Sequence, residues 1–427
     1  MLWQPALPEH YLTLTEDQLC EQIAARRAQL GDSLVILGHH YQMDQVVRHA
    51  DFLGDSLKLS QLASSVVEDR AKASDDPEKQ VKHIIFCGVH FMAETADMLT
   101  PDSVSVILPD LSAGCSMADM ADYDQTVEAW ELIHKSLKQS GWSGRIIPIT
   151  YVNSTAAIKA FVGEHGGACC TSSNADQVFK WAMDGGTQPK SEDEDIKILF
   201  LPDQHLGRNT ASAYGIDTER NTCVYDPRAT AQGEPLGGAS ALQLYDATTI
   251  LWAGHCSVHK LFRPEHCADI RRANAALSAQ EEPTQILVHP ECCKEVVDLA
   301  DFSGSTEYII NMLRDAPEGS KWAIGTEVHL VNRMANEMKE KGVHVTMLSD
   351  CQCLCTTMYR IDEPHILWVL DGLCGIGTAK DQPINSTDGP IKVRNVVAVH
   401  PEATKLALLA LNRMLAHTGN TSVKTSN

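Results

Sequence analysis

Three cysteines, Cys115, Cys256 and Cys355, stand far apart in the chain, and each follows an apolar run: SVILPDLSAGCS, TILWAGHCSVH and VTMLSDCQCLCT. Thiolates are soft ligands, so three that meet at one point suit an iron–sulfur cluster. A [4Fe–4S] cluster with three protein ligands keeps one iron open, a Lewis acid able to bind a hydroxyl or carboxylate and help expel water. Such a vacancy implies dehydration chemistry, since simple electron transfer calls for full ligation. Cys355 also belongs to a C-x-C-x-C run with Cys351 and Cys353. Taken alone, that run reads as a zinc site, a redox pair or a cluster ligand, because its spacing fits no common zinc finger.

The chain has 14 cysteines in 427 residues. The N-terminus lacks the basic-then-apolar pattern of an export signal, and the adjacent pairs Cys169–Cys170 and Cys292–Cys293 make a poor disulfide framework. Metal ligation, redox chemistry and plain burial are the remaining uses of the thiols. With 44% hydrophobic and 21% charged residues and no apolar run long enough to span a bilayer, the expectation is a cytoplasmic globular protein. A net charge of −21 argues against nucleic acid or an anionic membrane as partner. Small anions are still admissible, held by helix N-termini, histidines, hydroxyls or a metal.

The elements that must position these cysteines repeat. QVVRHADFLGDS at 45–56 and EVVDLADFSGST at 295–306 nearly superimpose, and each follows an apolar run with a polar tip, LVILGHHYQ or QILVHPEC. IIPITYVNS at 146–154 opens a third copy. An apolar β-branched run, a polar tip and a helical pattern together read as strand–loop–helix, the opening of a parallel α/β unit. Each copy has a second strand–turn–helix half and ends in one more strand with a cysteine at its tip. The fold class is therefore α/β, with three similar αβα lobes of parallel sheet related by pseudo-threefold symmetry around a central cluster. Ligands of such sheets gather at the carboxyl ends of the strands.

The expected organisation is an N-terminal segment at 1–30, a first lobe at 31–125 and a second at 126–262, with surface insertions near 184–196 and 209–240. A third lobe follows at 263–370, then a loop, closing helix and tail at 371–427. The closing helix, 401–418, is expected near the first lobe, and the tail is expected to be disordered. No Walker loop, G-x-G-x-x-G, H-E-x-x-H or G-x-S-x-G motif is present, which disfavours nucleotide, zincin and serine-hydrolase functions.

The motifs GHHYQ, GDSLKLSQ, GVHFMAETA, YVNSTAAIKA, CTSSNA, LPDQHLG, GHCSVHK, VHPE, CLCTTMYRID and HPEATKLALLALNRML cover nearly the whole chain outside the insertions. In these the chain resembles the quinolinate synthase (quinolinate synthetase A) family, in its longer variety. The resemblance implies three αβα lobes around a [4Fe–4S] cluster with one cysteine per lobe, and it selects Cys355 over Cys351 and Cys353. It also implies condensation of iminoaspartate with dihydroxyacetone phosphate to quinolinate, with loss of phosphate and two waters, in de novo NAD biosynthesis. A functional link to an aspartate-oxidising enzyme follows from that chemistry.

Matching residue by residue places His39 and Tyr41 at the first strand tip, Tyr151 and Asn153 at the second, and His289 and Glu291 at the third. Glu291, Tyr41, His39, His289 and Tyr151 are the catalytic candidates, and the His289–Glu291 pair suits the proton transfers of imine formation and ring closure. Ser56, Ser172 and Thr306 occupy corresponding places ahead of three helices. They serve either as caps or, with the helix N–H groups, as holders of phosphate or carboxylate. Met92, Glu94 and His205 are expected to support the site, and Cys351 with Cys353 to form a redox pair or to be bystanders. A non-catalytic iron–sulfur sensor and a zinc-dependent lyase are the rival readings.

Overall fold

The computed structural model describes residues 3–74, 76, 79–278, 280–350, 353–376 and 393–417. Cys351, most of the loop at 372–394 and the tail expected to be disordered lie outside them. Strands form where the sequence runs nearly continuous in Val, Ile and Leu, as expected for parallel strands covered on both faces. β1 (Leu34–His39), for example, is buried along its whole length.

The first sheet contains β1, β2 (Phe52–Gly54), β3 (His83–Cys87) and β4 (Ser105–Ile107). The second contains β5 (Gly144–Tyr151), β6 (Ala168–Cys170), β7 (Asp195–Leu201), β8 (Thr222–Tyr225) and β9 (Thr249–Trp252). The third contains β10 (Thr284–Val288), β11 (Phe302–Ser303), β12 (Lys321–Gly325) and β13 (His344–Met347). β14 (Val396–Val397) pairs antiparallel with β4 on the edge of the first sheet. Every other pairing is parallel.

The sheet orders are β2-β1-β3-β4, β6-β5-β7-β9 and β11-β10-β12-β13, with β14 and β8 added at edges. One topology thus occurs three times. In each sheet the first and third strands are neighbours, so the connections leaving them diverge and open a crevice at their carboxyl ends.

The chain divides into two compact units. One holds Met1–Cys115 and Cys355–His400, and so the first sheet; the other holds Ser116–Leu354 and Pro401–Asn427, with the second and third sheets. The changeover comes at Cys115 and Cys355, whereas the repeat leads to lobe boundaries near 125 and 370. The reason is packing: helix Tyr123–Gln139 contacts helices of the second sheet, and helix Glu363–Leu373 lies on helix Glu16–Leu30.

Two expectations of placement are corrected. The segment 209–240 is not simply a surface insertion. It begins inside helix Gln204–Tyr214, where Asn209, Thr210 and Ala211 are buried, and it supplies the edge strand β8. Its Gly, Thr and Asn content hides these elements, because packing overrides weak propensity. The stretch 184–196 likewise runs into the buried strand β7.

The closing helix, Pro401–Ala416, packs on helix Ala156–Glu164 and β6 of the second lobe. Gly163 allows this close approach, Arg413 donates to the Gly163 and Gly167 carbonyls, and Asn174 Nδ2 donates to the Met414 and His417 carbonyls. A Cβ on Gly163 would run into the Leu406 carbonyl. Gly163→Ala should therefore lower stability by about 1–3 kcal/mol, the usual cost of overpacking. A urea midpoint equal to wild type would show that the two backbones can separate freely.

Candidate active site at the strand tips

The sheet registers bring the expected site residues to equivalent positions. Gly38 pairs with Leu53, Thr150 with Cys169 and Val288 with Ser303. His39, Tyr151 and His289 each come next in the chain after those first-strand residues, and Tyr41, Asn153 and Glu291 come two residues later again. Six candidates thus occupy two places on three strand tips.

The local geometry repeats as well. The Tyr41 N–H donates to His39 Nδ1 at 3.1 Å, and the Glu291 N–H to His289 Nδ1 at 3.4 Å. With Nδ1 accepting, the neutral ring carries its proton on Nε2, ready to donate outward. His39 meets the Tyr41 ring edge-on at 4.7 Å. His289 stacks on His259 at 4.5 Å, with 17° between the planes.

Glu291 is almost fully buried at 3% exposure, so its charge requires partners. Its Oε2 lies 2.6 Å from His259 Nδ1, and Tyr151 supplies a side-chain hydrogen bond. Burial alone would favour the neutral acid. The attraction of the adjoining His259 and His289 rings and the bonds from His259 and Tyr151 outweigh it, holding Glu291 below the usual carboxylate range. An anionic Glu291 accepts a hydrogen bond from His259 Nδ1–H, which leaves Nε2 facing Thr326 Oγ1 at 3.1 Å. Carboxylate, imidazole and hydroxyl form a proton relay of the kind that activates a hydroxyl in hydrolases.

Neighbours hold this relay in place. Asn209 Nδ2 donates to the Pro290 and Cys292 carbonyls at 2.8 and 2.9 Å, clamping the Glu291 tip. Asp203, fully buried, caps helix Gln204–Tyr214 by accepting from the His205 and Leu206 N–H groups. Burial and then the Glu291 charge push Asp203 well above its ordinary range, against the His205, Leu206 and Cys256 N–H groups that bind its anion. One carboxylate of the two is thus favoured as the anion.

The three cysteines share one backbone setting. Three residues after each begins a 3₁₀ turn: Ala118–Met120, His259–Leu261 and Met358–Arg360. Seven residues after each stands the residue that precedes a helix: Asp122, Arg263 and Asp362. Cys353 does not share that setting. It is buried, its Sγ is 3.5 Å from Ser349 Oγ, and its carbonyl accepts the Val328 N–H. Cys115, Cys256 and Cys355 are partly exposed thiols. Burial instead pushes Cys87, Cys169 and Cys223 up to about 12 and Cys267 to about 11, which keeps them inert thiols. Cys256, His259 and Glu291 bring one donor atom each within 4.8 Å of one another. Soft, partly exposed thiols at equivalent turns, one of them, Cys256, beside an acid–base pair, are of the ligand type that an iron–sulfur centre takes.

Residues 21–416 match the family model described as Quinolinate synthetase A protein. The chain belongs to this family. Similar proteins named quinolinate synthase include one from Acidobacterium capsulatum, 47% identical over 407 residues and 95% of each chain. Another, from Bacillus anthracis, is 45% identical over 409 residues and 96% of each chain. A third, from Bacillus cereus strain AH187, has the same identity and coverage.

Within this family member the hydroxyl candidates do not act as caps. Asp55 and Ser305 cap helices Ser56–Ala73 and Thr306–Arg314, accepting from the Lys58 and Tyr308 N–H groups. Ser56 and Thr306 are the first helical residues, and Ser172 precedes the Asn174 that heads helix Ala175–Met183. Met92 is packed in helix His90–Leu99, where Glu94 faces His90 at 3.7 Å. His205 heads its helix beside Asp203.

Sequence reasoning missed His259, Thr326, Asp203 and Asn209. The C-x-x-H spacing of Cys256 and His259 was the available signal. A second Cys/His/Glu group, Cys20, His49 and Glu363, also clusters. There Arg48 already neutralises Glu363 at 2.7 Å, and His49 and Cys20 bond to the same oxygen, so the group reads as a buried ion-pair hub.

Burial, then His259, pushes His289 down to about 3, against the pull of Glu291. The unfolded chain takes up this proton near 6.5 and the folded one does not, so stability contributed here falls as pH drops from about 6.5 toward 3. Histidine NMR should show His289 neutral with its proton on Nε2 throughout pH 5–8. A midpoint near 6.5 would contradict the buried, stacked geometry.

Proposed function

We propose that the chain is a quinolinate synthase of de novo NAD biosynthesis, condensing iminoaspartate with dihydroxyacetone phosphate to quinolinate, phosphate and two waters. The observation that carries the reading is the Glu291–His259–Thr326 relay, with Cys256 among its nearest neighbours. A sensor of iron or oxygen needs no acid–base set, whereas a condensation with two dehydrations needs one.

Cys115, Cys256 and Cys355 would hold a [4Fe–4S] cluster. When bound, it supplies an open iron as a Lewis acid for expelling water. Every other task falls to the chain. Glu291 moves protons through His259 and, with Tyr151, serves enolisation and imine formation. Tyr41 donates to a developing oxyanion, and His39 and His289 donate from Nε2 to carboxylate or carbonyl oxygens. Asn153 and the hydroxyls of Ser56, Ser172 and Thr306, with adjacent helix N–H groups, hold phosphate and carboxylates. A chain this acidic can bind anions so without an arginine cluster. Among the described residues no helix is long and apolar enough to cross a membrane.

One observation favours a second reading, a zinc-dependent lyase: Cys256, His259 and Glu291 are zinc-type donors. Yet His259 and Glu291 spend those atoms on each other, Tyr151 and Thr326. Anaerobic purification separates the two, since a cluster protein is brown and a zinc protein colourless.

The deciding assay is anaerobic quinolinate formation from the two substrates; a well-loaded cluster without product would sink the enzyme reading. Glu291→Gln should keep the cluster and lose turnover by about 10²–10⁴-fold, the usual worth of general acid–base catalysis. Cys355→Ser should lose or badly weaken the cluster, while Cys351→Ser and Cys353→Ser keep it. The reverse pattern would move the third ligand.

A further inference from the structure

Each turn that follows a site cysteine is braced on strand-end loops, and the braces differ in chemistry. After Cys115, the Met120 carbonyl accepts Trp252 Nε1–H at 2.6 Å, and the His255 N–H faces Met120 Sδ at 3.4 Å. This turn is thereby seated on the loop leading to Cys256. After Cys256, His259 is gripped by Glu291 and Thr326 of the third lobe.

After Cys355, two contacts reach the first lobe. Gln42 Nε2 donates to Met358 Sδ at 3.6 Å, and Arg360 Nε donates to Asp110 Oδ2 at 3.1 Å. Asp110 is buried, and its other oxygen accepts the Ser112 N–H at 2.8 Å and Oγ–H at 2.5 Å. One carboxylate therefore shapes the loop approaching Cys115 and receives the guanidinium that follows Cys355. Arg360 lies five residues after one cysteine and Asp110 five before the other. The chain leaves this compact unit after Cys115 and re-enters it at Cys355, so the two loops are joined by side chains rather than by continuous backbone.

We infer that Arg360 is a positioning residue that sets the spacing of the Cys115 and Cys355 loops through Asp110, and so governs how firmly their thiols retain iron; this rests on reading both as cluster ligands. A guanidinium suits the task. It is planar and permanently charged, and its Nε–H keeps a fixed direction. The Asp110 end is dry, while the Arg360 side chain is 44% exposed, so removing the arginine leaves a buried anion without its counter-charge.

The test is iron release to a chelator from anaerobically loaded protein, read alongside melting of the apo-protein. Arg360→Met should release iron about 10–100-fold faster, as removal of groups that orient metal ligands commonly does. Asp110→Asn should do the same, and the double variant should be no faster than either single one. Arg360→Lys should recover part of the loss. Arg314→Met, which breaks the exposed Arg314–Glu337 pair of the third lobe, is the matched control and should leave release unchanged. A loaded wild type whose release rate Arg360→Met does not alter overturns the inference alone. A wild type that takes up no cluster overturns the reading of the thiols, and the inference with it.

Discussion

The contact between Glu291 and His259 is the constraint around which the larger unit is organised. A carboxylate at 3% exposure is untenable without charge compensation and hydrogen bonds. Both come from elsewhere in the fold: His259 from the turn after Cys256, Tyr151 from the second sheet, and Asn209 through the backbone on either side of Glu291. Removing one partner of such a pair typically costs about 3–5 kcal/mol, because the remaining charge stays buried. The same contact fixes the imidazole tautomer that turns Nε2 toward Thr326. Stability and chemistry thus draw on one interaction.

The cysteines show a different economy. Each follows β4, β9 or β13, ahead of an equivalent turn and helix start, and the chain changes compact unit at two of the three. A crossover is where a loop has fewest packing partners of its own. Side-chain braces take over that function: Met120 beneath Trp252, His259 on Glu291, and Arg360 on Asp110. These braces are chemically unrelated although their positions are equivalent. Three copies of one topology have evidently kept the geometry and exchanged the chemistry that maintains it.

The first-strand tips show the same exchange of residue types on one topology. His39, Tyr151 and His289 each come next after equivalent paired residues of the first strands, and Tyr41, Asn153 and Glu291 each stand two residues further along the chain. A parallel sheet brings all its strand ends and helix starts to one edge, so a polar residue there reaches the crevice whatever its type. Symmetry supplies the places. The residue types that occupy them differ from lobe to lobe.

The sequence by itself determined the repeated α/β topology, and it offered the strand tips as the candidate active edge, with His39, Tyr41, Tyr151, Asn153, His289 and Glu291 as candidates. These follow from periodicity and motif, which are local: the alternation from apolar run to polar tip is written within ten residues. What only the tertiary structure decided is which distant groups meet. His259 belongs to a motif whose cysteine attracted attention, and nothing local says that its ring reaches Glu291 and Thr326. Asn209 looked like insertion, and the closing helix was placed beside the wrong lobe, because neither residue type nor period encodes a packing partner. The choice of Cys355 over Cys353 shows both sources at work. Motif resemblance selects Cys355, and the fold gives it the turn and partial exposure that Cys115 and Cys256 have, whereas Cys353 is buried against Ser349.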